Sequence, residues 1–540
     1  MPRALRRSSS GDYGRVRATS SLSLRGWAGA PWSCFAGCGS FLLVLLLISL
    51  CSCSRRPDPN TVVMLIENSP SNLDPRIGTD AQSERLHKLI FDSLVRRDEH
   101  FQLQPELAER WEIPDPMTYI FHLRAGVKFH DGRTLTSADV KYTLDTLISG
   151  KLRTARAAAF KPISRVETPD PLTVVLHLTE PNSSMLWNLS DGAFGVIPAG
   201  SGDELARHPI GSGPFRFVSA IQDREVVLDR NPDYWQSPPN VARVRFNVVP
   251  DATTRALELR KGTADVAINA FPADTVLALM REPTLEVERA PGTIYMYLAL
   301  NLRDPILHDV RVRQALAYAI DRQTIIKYLL RGMARPASSV LPPESWAFDP
   351  AAPTYAHDPA HARKILDDAG YKPAADGFRF HLVIKTSTDE SARLLAAVLQ
   401  QQFRDIGVAL DIRNYEFATF YADVTRGAFQ LYSLRWIGGN EDPDIFESVF
   451  DTASFAPKRA NRSYYSNPDV DRLIADARST TDQNRRKSDY VSVQQIVGRE
   501  LPYINLWYLD NTLVHSRRLT GVHPESSGNY DFLRSAKITN

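Results

Sequence analysis

TYIFHLRAGVKFHDGRTLTSADVKYTL, residues 118–144, is the stretch of the chain that decides its fold class. Apolar side chains alternate over 119–123, and this period of two is typical of a half-buried strand. Residues 127–129 predict a second short strand after a turn. Thr136 and Asp139 have the spacing of a helix-initiating capping box, with Asp in place of the usual Glu or Gln. The stretch therefore predicts a mixed α/β segment, and none of its residues suggests catalysis.

The composition is that of an ordinary globular protein with large apolar cores. Of its 540 residues, 43% are hydrophobic and 23% are charged, and this length corresponds to about three domains of roughly 150 residues each. Residues 1–52 carry six Arg and one Asp, which leaves 58 basic and 61 acidic residues, a net charge of about −3, for the remainder. Nucleic-acid binding needs a concentrated basic face for the phosphates, so the near-neutral charge of the residues after 52 argues against a nucleic-acid partner.

All four Cys lie near the amino terminus, at positions 34, 38, 51 and 53. The rest of the chain therefore has no disulfide, no thiolate nucleophile and no Cys-ligated metal site. No H-E-x-x-H, G-x-S-x-G, Walker or dinucleotide-binding motif occurs, so the sequence predicts no catalytic residue, no metal and no cofactor. Gly211-Ser212-Gly213 is predicted to be a structural turn.

The amino-terminal segment, 1–52, predicts a signal peptide. Its apolar run, Phe41–Leu50, follows a basic region and is too short for a membrane-spanning helix, which needs about 20 residues. The alternative is an anchor helix that extends back through Trp32–Gly39. The basic region is longer than usual, so an incorrectly assigned start is a further alternative.

Leu50-Cys51-Ser52-Cys53 resembles a bacterial lipobox, in which the Cys thiol receives a diacylglyceryl group before cleavage. We favour Cys53 over Cys51 as the modified residue because a small residue, Ser52, precedes it. Several acyl chains on one Cys hold a protein durably on a membrane. Residues 53–60 then read as a lipidated Cys and a short polar tether with prolines.

Motifs spread along the rest of the chain all resemble those of a single protein family. The chain closely resembles the family 5 extracellular solute-binding proteins, which are the dipeptide and oligopeptide receptors of bacterial ABC importers. The resemblance covers about residues 61–520. The motifs that carry it are the signature stretch 118–144, PELAERW at 105–111, GSGPF at 211–215, NPDYW at 231–235 and DVRVRQAL at 309–316.

This resemblance implies an α/β chain with the two-lobed periplasmic-binding-protein fold, in the large type that has an extra subdomain in lobe one. Lobe one would comprise 61–290, with a signature subdomain at about 99–185, and lobe two would comprise 291–505. Residues 506–540 would return to lobe one. The crossing hinges would lie near Tyr295–Asn301 and Ile504–Trp507.

The resemblance also implies a function. A monomeric receptor, attached through its lipid to the cell membrane and facing the periplasm or cell exterior, would enclose a small peptide or peptide-like solute by hinge closure. Its closed form would be recognised by separate ABC permease and ATPase subunits.

Peptide receptors of this family usually carry a W-x-x-D-x-x-[DE]-P-x-x-F loop, whose first Asp pairs with the ligand ammonium. Here the loop is WIGGNEDPDIF, residues 436–446, and the anchoring position is Gly439. The resemblance therefore predicts ligand contacts from Trp436, Gly439, Asn440 and Asp442 without the usual counter-charge. Glu441 or Asp442 would replace it only in a loop of different shape.

Dipeptide receptors also tend to carry Arg-Pro-Tyr where this chain has Thr386-Ser387-Thr388. We expect Thr386 and Thr388 to contribute hydroxyl groups to the site, and Lys385 is a candidate partner for a ligand carboxylate. These departures indicate altered specificity: a modified or longer peptide, or another small polar solute.

Two competing functions remain open. A secreted hydrolase would need a catalytic triad assembled from dispersed residues, and a sensor or chaperone would have kept the fold without transport. A zinc site at His357 and His361 is less favoured than a helix start, with Asp358 as cap and Pro359 as first residue. Arg311 and Arg313 are predicted to lie on a solvated helix face.

Overall fold

The computed structural model describes residues 60–154, 156–190, 192, 194–438 and 440–539. The predicted signal peptide, Cys51, Cys53 and most of the tether lie outside these residues. Among the helices within the described ranges, none has the length and apolar character required to cross a membrane.

The strands, in chain order, are β1 Thr61–Ile66, β2 Val95–Arg97, β3 Leu103–Pro105, β4 Ala108–Asp115, β5 Thr118–Leu123, β6 Ile163–Asp170, β7 Thr173–Leu178, β8 Phe215–Ile221, β9 Glu225–Arg230, β10 Arg243–Val248, β11 Val266–Ile268, β12 Leu285–Leu300, β13 Ala334–Pro336, β14 Phe380–Ser387, β15 Val408–Tyr415, β16 Leu431–Trp436, β17 Tyr503–Ser516, β18 Leu519–Thr520 and β19 Lys537–Ile538.

The α-helices are Ala81–Ile90, Ser137–Ile148, Ala157–Phe160, Met185–Asn188, Ala252–Lys261, Ala273–Leu279, Val310–Ala319, Arg322–Thr324, Pro359–Asp368, Glu390–Arg404, Phe417–Thr425, Ile445–Phe450, Pro468–Arg478, Gln483–Glu500 and Phe532–Ser535. Short 3-10 turns lie at Asp203–Ala206 and Thr452–Ser454, and a π-helical turn lies at Ile325–Leu329.

The signature stretch folds largely as its pattern predicts. Tyr119, Phe121 and Leu123 of β5 are buried and the intervening residues are not. The capping box is present, and the Asp139 carboxylate accepts a hydrogen bond from the Thr136 amide at 2.8 Å. The predicted second strand, 127–129, was wrong, because only an isolated bridge joins Lys128 to Thr134 there.

Two long strands, β12 and β17, lie next to each other in the middle of the main sheet. This 11-stranded sheet has the order β15-β14-β16-β12-β17-β11-β1-β10-β9-β8, with β13 paired to β17 outside that path. β12 and β17 pair antiparallel from Leu285 opposite Ser516 to Ala299 opposite Tyr503. They therefore connect the strands that follow β12 in the chain to those that precede it.

Within the described residues, four separate apolar cores include strands of the main sheet, and a fifth lies in the signature subdomain. Met64, Phe246 and Val266 belong to one core of the main sheet, while Leu316, Leu382 and Trp507 belong to another. The four-stranded sheet β4-β5-β7-β6 packs with helix Ser137–Ile148 to form the core of the signature subdomain. Each fully buried large apolar side chain contributes about 1.5–3 kcal/mol to stability. The mixed α/β class is confirmed.

Strand β17 is longer than its sequence pattern predicts. The pattern predicts a strand only at 502–507. In the structure β17 is continuous, and the amide of buried Asn511 donates to the carbonyl oxygens of Glu525 and Ser526 at 2.7 and 2.8 Å. A buried polar side chain is tolerated inside a strand when its hydrogen bonds are made.

The prediction that Arg313 lies on a solvated face was wrong. Arg313 is buried, and its guanidinium donates to the carbonyl oxygens of Leu307, His308 and Glu500 at 2.7–2.8 Å. Its neighbour Arg311 is exposed and pairs with Asp309, as expected for a surface residue.

Helix Pro359–Asp368 begins as predicted. The Asp358 carboxylate accepts a hydrogen bond from the His361 amide at 2.8 Å, and Pro359 occupies the first turn. The His361 ring packs edge-on against Tyr318, with centroids 4.7 Å apart. His361 therefore has a packing role in this helix.

Candidate ligand-binding site

Three parallel strands end at one edge of the main sheet. β14 pairs in parallel with β15 and with β16, so Ser387, Tyr415 and Trp436 all lie at carboxyl ends on the same side. Ligands of open α/β sheets bind in the crevice outside such carboxyl ends. This edge is therefore the candidate site, and it includes residues that the sequence singled out.

The structure brings Thr386, Thr388 and Trp436 to this edge but not side by side. Lys385 of β14 pairs with Tyr432 of β16, so Thr386 lies roughly 10 Å along the strand direction from Trp436. Thr386 is buried, whereas Thr388 is exposed. In the described part of the chain, neither the Thr386 hydroxyl nor the buried indole N–H of Trp436 has a hydrogen-bond partner. Their roles in ligand binding stay predictions.

The Lys385 ammonium pairs with a carboxylate of its own chain. Its Nζ lies 2.6 Å from Oδ2 of Asp423, and both side chains are largely buried. This hydrogen bond holds the pKa of Asp423 below its usual range. The sequence assigned Lys385 to a ligand carboxylate, but in the structure it neutralises Asp423.

Asn440 attaches the loop after Trp436 to β12 and to the segment that follows β13. Gly439 itself lies outside the described residues. The fully buried Asn440 amide donates to the carbonyl oxygens of Thr293 and Val340 at 2.9 and 3.1 Å. Its own side-chain carbonyl oxygen has no hydrogen-bond partner among the residues that the structure describes. Asn440 therefore positions the loop and keeps one acceptor available.

Glu441 forms a buried ion pair with a residue that is distant in sequence. One carboxylate oxygen lies 2.8 Å from Nη1 of Arg97, and the other accepts a hydrogen bond from the Thr293 hydroxyl at 3.1 Å. The Arg97 guanidinium also lies 4.8 Å from the ring centroid of Trp187. Glu441 is therefore paired within the chain in this structure. No local signal in the sequence marks Arg97 for this contact.

Asp442 is a buried carboxyl group whose charge is disfavoured. Burial, followed by the nearby Asp444 carboxylate, raises the pKa of Asp442 to about 6. Arg486 and the hydroxyl of Ser184 act in the opposite direction but less strongly. Asp442 lies in the loop after Trp436, and Ser184 lies in the predicted signature subdomain. Titration of Asp442 therefore changes the charge at the place where these two segments meet.

We expect the D442N substitution to remove a pH-dependent loss of stability. The pKa of Asp442 rises from its ordinary 3.8 to about 6 on folding, so its favourable contribution is complete below about pH 4 and disappears as the pH rises through 6. The difference amounts to about 2–3 kcal/mol. Urea unfolding at pH 4, 5, 6 and 7 would measure it. The exposed Asp203 provides a control, because D203N should follow the wild-type profile, and a wild-type profile for D442N would contradict the prediction.

Arg462 is a second residue that sequence reasoning missed. It lies in the loop after the Thr452–Ser454 turn, donates to the Tyr421 hydroxyl at 2.9 Å, and stands over the Trp436 ring at 5.9 Å. The candidate site is thus bordered by paired carboxylates and one guanidinium held by aromatic groups.

Comparison with known proteins identifies similar chains. Residues 102–456 match the family model described as bacterial extracellular solute-binding proteins, family 5 Middle. The glutathione-binding protein GsiB of Pectobacterium atrosepticum is 30% identical over 473 residues, which cover 85% of this chain and 91% of that protein. The dipeptide-binding protein of Escherichia coli is 28% identical over 474 residues, which cover 82% of this chain and 88% of that protein.

A solved structure has the same architecture. The dipeptide-binding protein of Pseudoalteromonas sp. SM9913, in complex with Met-Leu, is similar with a TM-score of 0.74 and 26% identity, covering 89% of this chain and 100% of that chain. The two-lobed periplasmic-binding-protein fold expected from the sequence is confirmed. The limits of the lobes, and the hinges that β12 and β17 would form, stay predictions.

Proposed function

This chain belongs to the bacterial extracellular solute-binding proteins of family 5, and from that premise we propose that it captures a peptide or peptide-like solute between its lobes and delivers it to an ABC permease. Its relatives are substrate-binding proteins and not enzymes, and this chain likewise binds without catalysis. Hydrolysis is therefore set aside as a function.

The observation that carries the proposal is the Arg97–Glu441 ion pair. Arg97 lies in the predicted lobe one, and Glu441 lies in the loop that follows Trp436 at the candidate site. A loop that lines the site and contacts the opposite lobe couples solute binding to lobe closure. Hinge closure of this kind is the general mechanism of periplasmic binding proteins.

Neutral polar groups at the site support a peptide-like solute. The Thr386 hydroxyl, the Trp436 indole N–H and the Asn440 carbonyl oxygen are buried and have no hydrogen-bond partner within the described part of the chain. Each such group costs about 1–3 kcal/mol until it is paired. A peptide offers backbone N–H and C=O groups to pair with them, and relatives of this chain are named for glutathione and dipeptide binding.

We further propose that Cys53 carries a lipid that anchors the monomeric receptor to the membrane outside the cytoplasm. The lipobox resemblance supports this, since the diacylglyceryl group forms a thioether with the thiol. In cell fractionation, C53A should leave the membrane fraction and C51A should stay in it. The reverse result would assign the lipid to Cys51.

Native mass spectrometry of the protein purified in mild detergent tests peptide capture. We expect a co-purified solute that fragments as a peptide and is absent from the G438W variant. Gly438 has φ +68° and Gly132 has φ +87°, and a Cβ atom added at either glycine would meet open space. G132W is therefore a control matched for backbone strain and should retain the solute. A solute-free mass, together with no thermal shift from pooled peptides, would contradict peptide capture.

A further inference from the structure

Arg462 is a half-buried cation that has no carboxylate partner within the described residues. Its guanidinium donates one hydrogen bond, to the Tyr421 hydroxyl at 2.9 Å, and lies 5.3 and 5.9 Å from the ring centroids of Tyr421 and Trp436. By contrast, Arg97 and Lys385 near the same edge are paired with carboxylates. A partly buried charge without a counter-ion is costly unless something pairs with it.

The groups around Arg462 are hydrogen-bond donors. The indole N–H of Trp436 is buried and makes no hydrogen bond within the described residues, and the buried hydroxyls of Tyr432 and Tyr503 lie close to Arg462 and to each other. Burial raises the pKa of both tyrosines, so their hydroxyls stay protonated and can donate. Both tyrosines interact electrostatically with Arg462, which places them near its guanidinium.

The strand geometry locates this cluster at the candidate site. Tyr432 and Trp436 are four residues apart on β16 and therefore lie on the same face of the sheet. Tyr295 and Tyr297 of β12 lie directly opposite Trp436 and Leu434. Arg462 contacts the Trp436 end of this face, which is the carboxyl end of the strand and hence the edge where a solute would bind.

We infer that Arg462, with the indole N–H of Trp436 and the neighbouring tyrosine hydroxyls, binds the carboxylate of a solute that carries no free α-ammonium. A guanidinium and neutral donors match a carboxylate, because charge-assisted hydrogen bonds to it are about twice as strong as neutral ones. The loop after Trp436 offers little counter-charge to the ammonium half of an ordinary peptide. Gly439 stands at the anchoring position, Glu441 is paired with Arg97, and burial raises the pKa of Asp442 to about 6, which disfavours its charge.

This inference rests on the proposed function, because it specifies the solute class of the same site. An amino-blocked peptide with a terminal carboxylate is the solute that these contacts favour. A non-peptide carboxylate would share the anionic chemistry, and the experiment distinguishes the two.

Calorimetric titration of the purified protein with four probes tests the inference. The probes are N-acetyl-alanyl-alanine, alanyl-alanine, alanyl-alanine amide and glutarate. We expect the acetylated dipeptide to bind most tightly and the amide most weakly. The R462Q variant should weaken binding of the acetylated dipeptide about 10- to 100-fold, as expected for loss of a hydrogen bond to a charged group, and R462K should restore part of it.

Arg303 provides a matched control. It is also a guanidinium over a tyrosine ring, 3.4 Å from the Tyr464 centroid, but it is exposed. R303Q should leave the titrations unchanged. If R462Q does not fold, W436F removes the indole donor and should selectively weaken the acetylated probe.

The outcomes separate the two proposals. Equal binding of the acetylated dipeptide by wild type and R462Q, or preference for the amide, overturns the Arg462 inference and leaves peptide capture intact. Binding of glutarate that depends on Arg462, without binding of any peptide, supports the anion subsite and overturns peptide capture. Absence of binding by all four probes contradicts both.

Discussion

The E441Q substitution is expected to weaken solute affinity by at least about 30-fold. The Glu441 carboxylate and the Arg97 guanidinium are 2.8 Å apart, with side-chain exposures of only 5% and 16%. Removing one member of a buried, hydrogen-bonded charge pair costs about 2–5 kcal/mol, and in E441Q the buried Arg97 guanidinium loses its charge-assisted hydrogen bond to this carboxylate. We expect that cost to fall on the closed arrangement of the proposed function, in which the loop after Trp436 meets the predicted lobe one, and to disappear when opening returns Arg97 to water.

Small-angle X-ray scattering and calorimetry would measure this effect together. The radius of gyration of E441Q should increase, because the population of the open state rises when the closed state is destabilised. R97M should act similarly, and the double variant should show strong coupling in a double-mutant cycle. The surface pair Lys364–Asp368 is the control, with exposures of 69% and 64%, so D368N should change neither quantity. Additive effects of R97M and E441Q would contradict a direct interaction.

The D92A substitution is expected to lower the free energy of unfolding by about 3–5 kcal/mol. Asp92 is buried, and its carboxylate accepts hydrogen bonds from the Ser212 hydroxyl, the Tyr234 hydroxyl and the Trp235 indole N–H at 2.8–3.0 Å. Its removal leaves three buried donors unpaired, and each unpaired donor costs about 1–3 kcal/mol, although neighbours relax to recover part of this.

Urea unfolding at neutral pH measures the loss. Asp233 lies in the same NPDYW turn but is exposed, so D233A provides a control that should change stability by less than about 0.5 kcal/mol. D92N keeps the shape of the side chain and one acceptor oxygen. Its free energy of unfolding should therefore lie between those of D92A and D233A. A D92A protein as stable as wild type would contradict the role of Asp92 as a shared acceptor.

Asp92 also explains why two of the sequence motifs occur together. Ser212 belongs to the GSGPF turn, and Tyr234 and Trp235 belong to the NPDYW turn. A Cβ at Gly211 would clash with the carbonyl oxygen of Ile90, so the turn must be glycine to approach this region. Both motifs are therefore structural, and their common partner Asp92 is not part of either.

The sequence predicted those features that short-range forces control. The strand at 118–123, the capping box of Thr136 and Asp139, and the Asp358 cap each depend on residues within a few positions of one another, and all are present. Burial alternates with the strand period, and capping hydrogen bonds close within one helical turn. The resemblance of several such motifs also led to the family and its two-lobed fold.

The tertiary structure alone decided the contacts that define the candidate site. Glu441 and Arg97 are separated by 344 positions, and nothing local distinguishes either from other charged residues. Arg313 is buried and Arg462 lacks a carboxylate partner among the described residues, although their sequence surroundings do not reveal either state. Pairing, burial and pKa depend on which distant elements the chain brings together, and the energy of a charge depends on that environment more than on its own identity. For this reason, the pattern of residues determined the fold class and family, whereas the neighbours of each charge were determined only when β12 and β17 brought the strands before and after them into one sheet.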